Sequence, residues 1–135
     1  MSKDCVFCRI ARNEERASYI YEDENAIAFL DARPVSEGHT LVVPRRHYEN
    51  IYAVPDEEVA NLFKIVKKVA LAISKSERAE GMSIIQNNGS IAHQVIFHFH
   101  VHTIPRYVGK GMQSTRIAAD QTELDEIAAR IRKYI

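Results

Sequence analysis

The stretch Phe97-His98-Phe99-His100-Val101-His102-Thr103-Ile104-Pro105 constrains this chain more than any other. Its period is two, that of an extended strand, in which successive side chains point to opposite faces. His98, His100 and His102 therefore share one face, and Phe97, Phe99, Val101 and Thr103 share the other. The row holds half of the chain's six histidines. An ordinary half-buried strand carries Thr, Lys, Glu or Arg at its exposed positions, so a functional cluster explains the row better than a solvated polar face or an adventitious surface metal site.

The rest of the pattern frames that strand. A chain of 135 residues without internal repeat, low-complexity tract or linker is expected to form one domain, residues 1–135. Asp4 to Ala11 suggests a short helical turn, with Asp4 as cap and Val6, Phe7 and Ile10 on its apolar side. Ser18 to Tyr21 and Ala26 to Leu30 read as a hairpin across the acidic turn Glu22-Asp23-Glu24-Asn25. A Pro- and Gly-bearing loop, Asp31 to Gly38, leads to a strand from His39 to Pro44. From Pro55 the period changes: Val59, Leu62, Phe63, Val66, Val69, Ala70 and Ile73 predict one long helix to about Lys75, started by Asp56, Glu57 and Glu58. Gly81 to Gln86 alternates again, Asn87-Asn88-Gly89-Ser90 is a turn, and the histidine strand follows, ended by Pro105. After the weakly patterned 107–119, Asp120 to Ile135 predicts a terminal helix. Strand pairs flanked by helices, without regular βαβ alternation, imply an α+β class with a mainly antiparallel sheet.

Charge narrows the partners. Eighteen Lys and Arg balance eighteen Asp and Glu, which argues against nucleic acid or a membrane surface and makes any anion site local. No apolar run reaches bilayer-spanning length and the N-terminal residues lack a signal-peptide core, so a cytoplasmic location is expected.

Adjacent imidazoles on one face can serve as nucleophile, base, cation or metal ligand. One reading is a His₃ zinc centre. The other is nucleophilic attack on phosphorus, with one imidazole attacking, a neighbour holding a phosphate oxygen, and the turn Asn87 to Gln94 supplying neutral donors. Cys5-x-x-Cys8 lacks two ligands for zinc, which two histidines could supply as Cys₂His₂; inert buried thiols rank second. A redox pair ranks third, because no strand precedes Cys5.

His98-Phe99-His100-Val101-His102-Thr103-Ile104 resembles the motif of the histidine triad (HIT) family. The resemblance extends to Ala28-Phe29-Leu30-Asp31, to Gly38-His39-Thr40-Leu41-Val42-Val43-Pro44 through His47, and to Asn87-Asn88-Gly89-Ser90 through Gln94. The start Cys5-Val6-Phe7-Cys8-Arg9-Ile10 is similar to prokaryote-type members. This implies a HIT-like fold, a homodimer with a continuous sheet, and hydrolysis or transfer at the α-phosphate of AMP or other purine nucleoside conjugates, GMP included. By resemblance His100 is the nucleophile, His102 a donor to phosphate, His39 an outer member of the catalytic set, and His98 the first member of the triad. Asp31 matches the ribose-binding acid, and Val6, Phe7, Ile10 and Phe29 match the base pocket. Asn87 and the backbone near Gln94 match phosphate contacts. Cys5, Cys8, His47 and His98 match a structural Zn²⁺ site. Taken alone, the four apolar residues read as core, Asp31 and Asn87 as turn formers, and His39 and His47 as strand-end histidines.

The chain departs from the family pattern before the triad. Many members have a small Gly-rich pair, then Gln, then a Ser or Thr facing the substrate's bridging atom; here stand Ala92, His93, Gln94 and Val95. Valine donates no hydrogen bond, and His93 is a candidate replacement donor. The implied activity is a purine nucleoside phosphoramidase. A dinucleoside polyphosphate hydrolase, with Arg106 and Lys110 on the extra phosphates, and a zinc-stabilised scaffold with vestigial catalysis are the alternatives.

Overall fold

The computed structural model describes residues 4–111 and 118–135. The chain order is α1 (Val6–Ala11), β1 (Tyr19–Glu22), β2 (Ala26–Leu30), β3 (Thr40–Pro44), α2 (Asp56–Glu77), β4 (Gly81–Ile85), β5 (Val101–Arg106) and α3 (Gln121–Arg132). The five strands form one sheet in the order β1-β2-β3-β5-β4, with every described pairing antiparallel. The class is α+β, as the alternation of periods implied. Of the weakly patterned stretch, 112–117 lie outside the described residues.

Strand alternation divides the interior in two. On one face Ala26, Ala28, Leu30, Val42, Phe99 and Val101 pack against Leu62, Val66, Val69 and Ile73 of α2 and Leu124, Ile127 and Ile131 of α3. On the other face Ile27, Phe29, Leu41 and Val43 meet Phe7 and Ile10 of α1. β2 and β3 are consequently buried along their whole length. The short α1 covers only part of its face, which leaves room for a cavity beside it.

α2 starts after Pro55 with three acidic residues in its first turn, where the helix dipole favours them. It closes at Arg78, which takes the left-handed conformation usually given to glycine (φ 55°) and donates its N–H to the Ser74 carbonyl. α3 is capped by Asp120, whose carboxylate accepts from the Glu123 amide.

Two local expectations need correction. The cap of α1 is Cys5, not Asp4: the Cys5 sulfur accepts the Cys8 N–H at 3.4 Å. The histidine strand is also displaced, since β5 begins at Val101 and runs through Pro105 to Arg106. Its pairing with β3 starts at Val42↔Val101. Pro44 has no N–H to continue that ladder toward Phe99, and the Phe99 amide bonds the Tyr48 carbonyl instead. Pro105 is accommodated in a paired strand, opposite Met82.

Candidate active site and metal cluster

Burial and hydrogen bonding give each of the three histidines a different environment. His98 and Cys8 are fully buried. His98 Nε2 lies 2.8 Å from the Pro44 carbonyl oxygen; a carbonyl only accepts, so the ring's proton is on Nε2 and Nδ1 is a bare lone pair. That lone pair faces sulfur, 3.3 Å from Cys5 Sγ and 3.6 Å from Cys8 Sγ. His47 Nδ1 approaches Cys8 Sγ to 3.4 Å. Tetrahedral zinc bonds of about 2.0–2.3 Å place neighbouring ligand atoms about 3.3–3.8 Å apart, and these spacings match. All four donor atoms lie within 4.8 Å of one another. Burial pushes the His98 pKa down to about 4, so the ring is neutral and suited to ligation at pH 7. Cys5, Cys8, His47 and His98 therefore form a cluster whose donors and spacing fit a Cys₂His₂ metal site, with the Pro44 carbonyl orienting His98 from behind.

His100 carries its proton the other way round. Its Nδ1 is 2.6 Å from the His98 carbonyl, so Nδ1–H donates and Nε2 keeps a free lone pair. Burial lowers its pKa below the ordinary histidine value, which keeps the lone pair available at pH 7. The Phe7 ring meets its edge with centroids 5.1 Å apart.

A chain of hydrogen bonds assigns the third ring. The Val35 N–H donates to His39 Nδ1 at 3.1 Å, so the His39 proton sits on Nε2. That N–H reaches His102 Nδ1 at 2.9 Å, with Asp31 Oδ2 at 3.5 Å. His102 Nδ1 accepts, and its own N–H is left on Nε2. The result is one ring with its lone pair on Nε2 beside another with its N–H on Nε2, their centroids 5.0 Å apart.

Both rings line a cavity of about 710 Å³, within the range of small-molecule sites. The structure brings Val6, Phe7, Ile10, Phe29, Asp31, His39, Asn87, His93, Val95, His100 and His102 together on its wall. Phe7 and Phe29 stand edge to face there, 5.5 Å apart. Gln94 is not on the wall. It is buried, its Oε1 accepts the Gly89 N–H, and its amide donates to the Glu49 and Ile96 carbonyls. Its own N–H is bonded to the Gly89 carbonyl, so this residue holds the loop's shape. Arg106 and Lys110 are not on the wall either: Arg106 Nε donates to Ser83 Oγ, and Lys110 lies over the Tyr107 ring.

The wall also includes residues that sequence reasoning missed, among them Leu41, Ile85, Ile96, Ile104 and, from the far ends of the chain, Ser18, Gln121 and Leu124. Leu41 and Ile104 were recoverable, since alternation from His39 and from His102 puts them on the histidine face. The others depend on which strand and helix ends meet.

A family model described as the HIT domain matches residues 12–109. The chain belongs to the HIT family. This HIT protein is 42% identical over 128 residues to an uncharacterised HIT-like protein of Methanocaldococcus jannaschii, an alignment that covers 95% of the chain and 98% of the relative. It is 35% identical over 135 residues to an adenosine 5'-monophosphoramidase of Schizosaccharomyces pombe, with 95% and 98% covered. Its fold superposes on a Zn-bound histidine triad family protein of Mycobacterium smegmatis with a TM-score of 0.87 and 35% identity, covering 97% of this chain and 92% of that one.

Proposed function

We propose that this HIT protein hydrolyses conjugates of AMP at the α-phosphate through a covalent nucleotidyl-histidine on His100, with purine nucleoside phosphoramidates as the substrate class. The observation that carries the reading is the commitment of His100 Nδ1–H to the His98 carbonyl at 2.6 Å, which leaves Nε2 as the nucleophile in a nucleotide-sized cavity. Dividing the displacement replaces one hard attack by water with two easier steps. His102 Nε2–H, fixed by the Val35–His39 chain, donates to a non-bridging phosphate oxygen, and the Asn87 amide reaches the same group. Asp31 accepts from the ribose diol. Val6, Phe7, Ile10 and Phe29 enclose the base by its faces, an arrangement that accepts adenine or guanine. The name of the fission-yeast relative supports the phosphoramidate class.

Cys5, Cys8, His47 and His98 would hold a zinc ion whose contribution is structural, a cross-link between α1 and the segment carrying the catalytic histidines. Two thiolates and two neutral imidazoles balance its charge. The reading includes a homodimer: β4 is a sheet edge, and Phe63, Leu71 and Ile84 expose apolar surface beside it. The dinucleoside polyphosphate alternative loses the two cations it called on, since neither Arg106 nor Lys110 lines the cavity.

The test is turnover of adenosine 5'-phosphoramidate and of a dinucleoside polyphosphate by the wild type and His100→Ala, with acid quenching to trap the adenylylated protein. The wild type is expected to cleave the phosphoramidate faster and to trap adenylate; equal rates in the two proteins remove the nucleophile, and AMP binding without any turnover favours the scaffold reading.

A further inference from the structure

Expulsion of an amine from phosphorus demands a proton on the departing nitrogen, and the residues assigned so far do not supply it. His102 presents a single N–H from a neutral ring and is needed at a non-bridging oxygen. Asn87 is no acid. Val95, on the wall and 78% exposed, is a hydrocarbon with no proton to give. Asp31 is tied on the ribose side, its Oδ1 accepting the Arg33 N–H at 2.8 Å.

We propose that His93 is the acid that protonates the leaving group. This rests on the phosphoramidase reading and adds to it a second catalytic residue, the partner of His100. His93 lines the cavity and is exposed at its mouth. No hydrogen bond holds its ring among the described residues. Its backbone, by contrast, is held tightly. It closes the 3₁₀ turn Ser90–Ala92 in the left-handed region, with φ 71° and its N–H bonded to the Ser90 carbonyl. Glycine would adopt that backbone more easily, and an imidazole stands on it instead. The turn is braced by Gln94 on the Gly89 amide and on two carbonyls. A free imidazole on a rigid base can meet leaving groups of different size, and imidazole is the side chain that takes both protonation states near neutral pH.

The steps balance. In the first, His100 Nε2 bonds to phosphorus, the P–N bond breaks with its electron pair on nitrogen, and the His93 imidazolium gives that nitrogen its proton, releasing a neutral amine. In the second, water bonds to phosphorus and loses a proton to the now neutral His93, while the bond to His100 breaks with its pair returned to Nε2. AMP leaves and both rings are restored.

The experiment compares two substrates that differ only in the leaving group: the butylamide of AMP, whose nitrogen must be protonated, and the p-nitrophenyl ester, whose phenolate leaves unaided. His93→Gly suits the positive φ and His93→Asn tolerates it, so both should keep the wild-type melting temperature and metal content. In kcat/KM, which reads the reaction only up to release of the leaving group, each is expected to lose about 10²-fold or more on the butylamide and less than about threefold on the ester. Equal losses on both substrates, or no loss on the butylamide, overturn the role of His93. A wild type that turns over neither substrate overturns the phosphoramidase reading along with it.

Discussion

Two clusters of ligating side chains stand on the same sheet face, and they contrast in what their protons do. At one end the His98 Nδ1 lone pair faces the sulfurs of Cys5 and Cys8, and His47 Nδ1 approaches Cys8 Sγ. At the other, Asp31, His39 and His102 also bring their ligating atoms within 4.8 Å of one another. There, however, the His39 proton points along the line to the His102 lone pair. Lone pairs facing soft sulfur suit a metal ion, whereas a donor facing an acceptor makes a hydrogen bond. Ring proximity is nearly the same in both places, with centroids 5.0 Å apart for His47 and His98 and 5.1 Å for His39 and His102. The difference lies in the backbone group behind one ring of each pair, the Pro44 carbonyl for His98 and the Val35 N–H for His39.

That contrast can be broken most severely at His100. His100→Ala should lower turnover of an AMP phosphoramidate by about 10⁴-fold or more while the metal content, measured by atomic spectroscopy, stays that of the wild type. Joint loss of metal and activity would mean that the two ends are one site. Cys8→Ser should do the reverse first: stoichiometric metal is lost and the melting temperature falls by more than about 10 °C. Phe7 and Ile10 ride on the same helix as Cys8 and line the cavity, so AMP affinity, read by calorimetry, should weaken as a second consequence. An unchanged affinity would uncouple the ends. His39→Ala removes the donor that fixes His102, and kcat is expected to fall about 10²-fold with little change in KM and none in metal content.

The smallest effect is on pH. The pKa of His100 is depressed by burial, so its neutral, nucleophilic form persists below the ordinary histidine value of about 6.5. Activity should therefore hold as pH falls through that value and be lost only at the lower, depressed one. An acid limb above about 6.5 in kcat/KM would contradict the burial argument.

Much of the frame was legible beforehand, for physical reasons. β2 matches the expected Ala26–Leu30, and α2 matches the expected helix to within two residues at each end. Amphipathic periodicity and an acidic N-terminus are local signals, written in consecutive residues. The cap of α1 was misread because a cysteine sulfur took the place that Asp4 normally fills. The start of β5 was misread because strand length depends on a partner, and the partner's ladder stops at Pro44.

The site divides along the same line. The spacing of His98, His100 and His102 determined by itself that three imidazoles share a face, and Cys5-x-x-Cys8 that two sulfurs lie close together. Only the tertiary structure decided what each imidazole does, because a neutral ring offers either a lone pair or an N–H at a given nitrogen, and the choice belongs to its neighbours. Here those neighbours are the carbonyls of Pro44 and His98 and the N–H of Val35. They are backbone groups common to almost every residue, so no letter of the sequence records where they point.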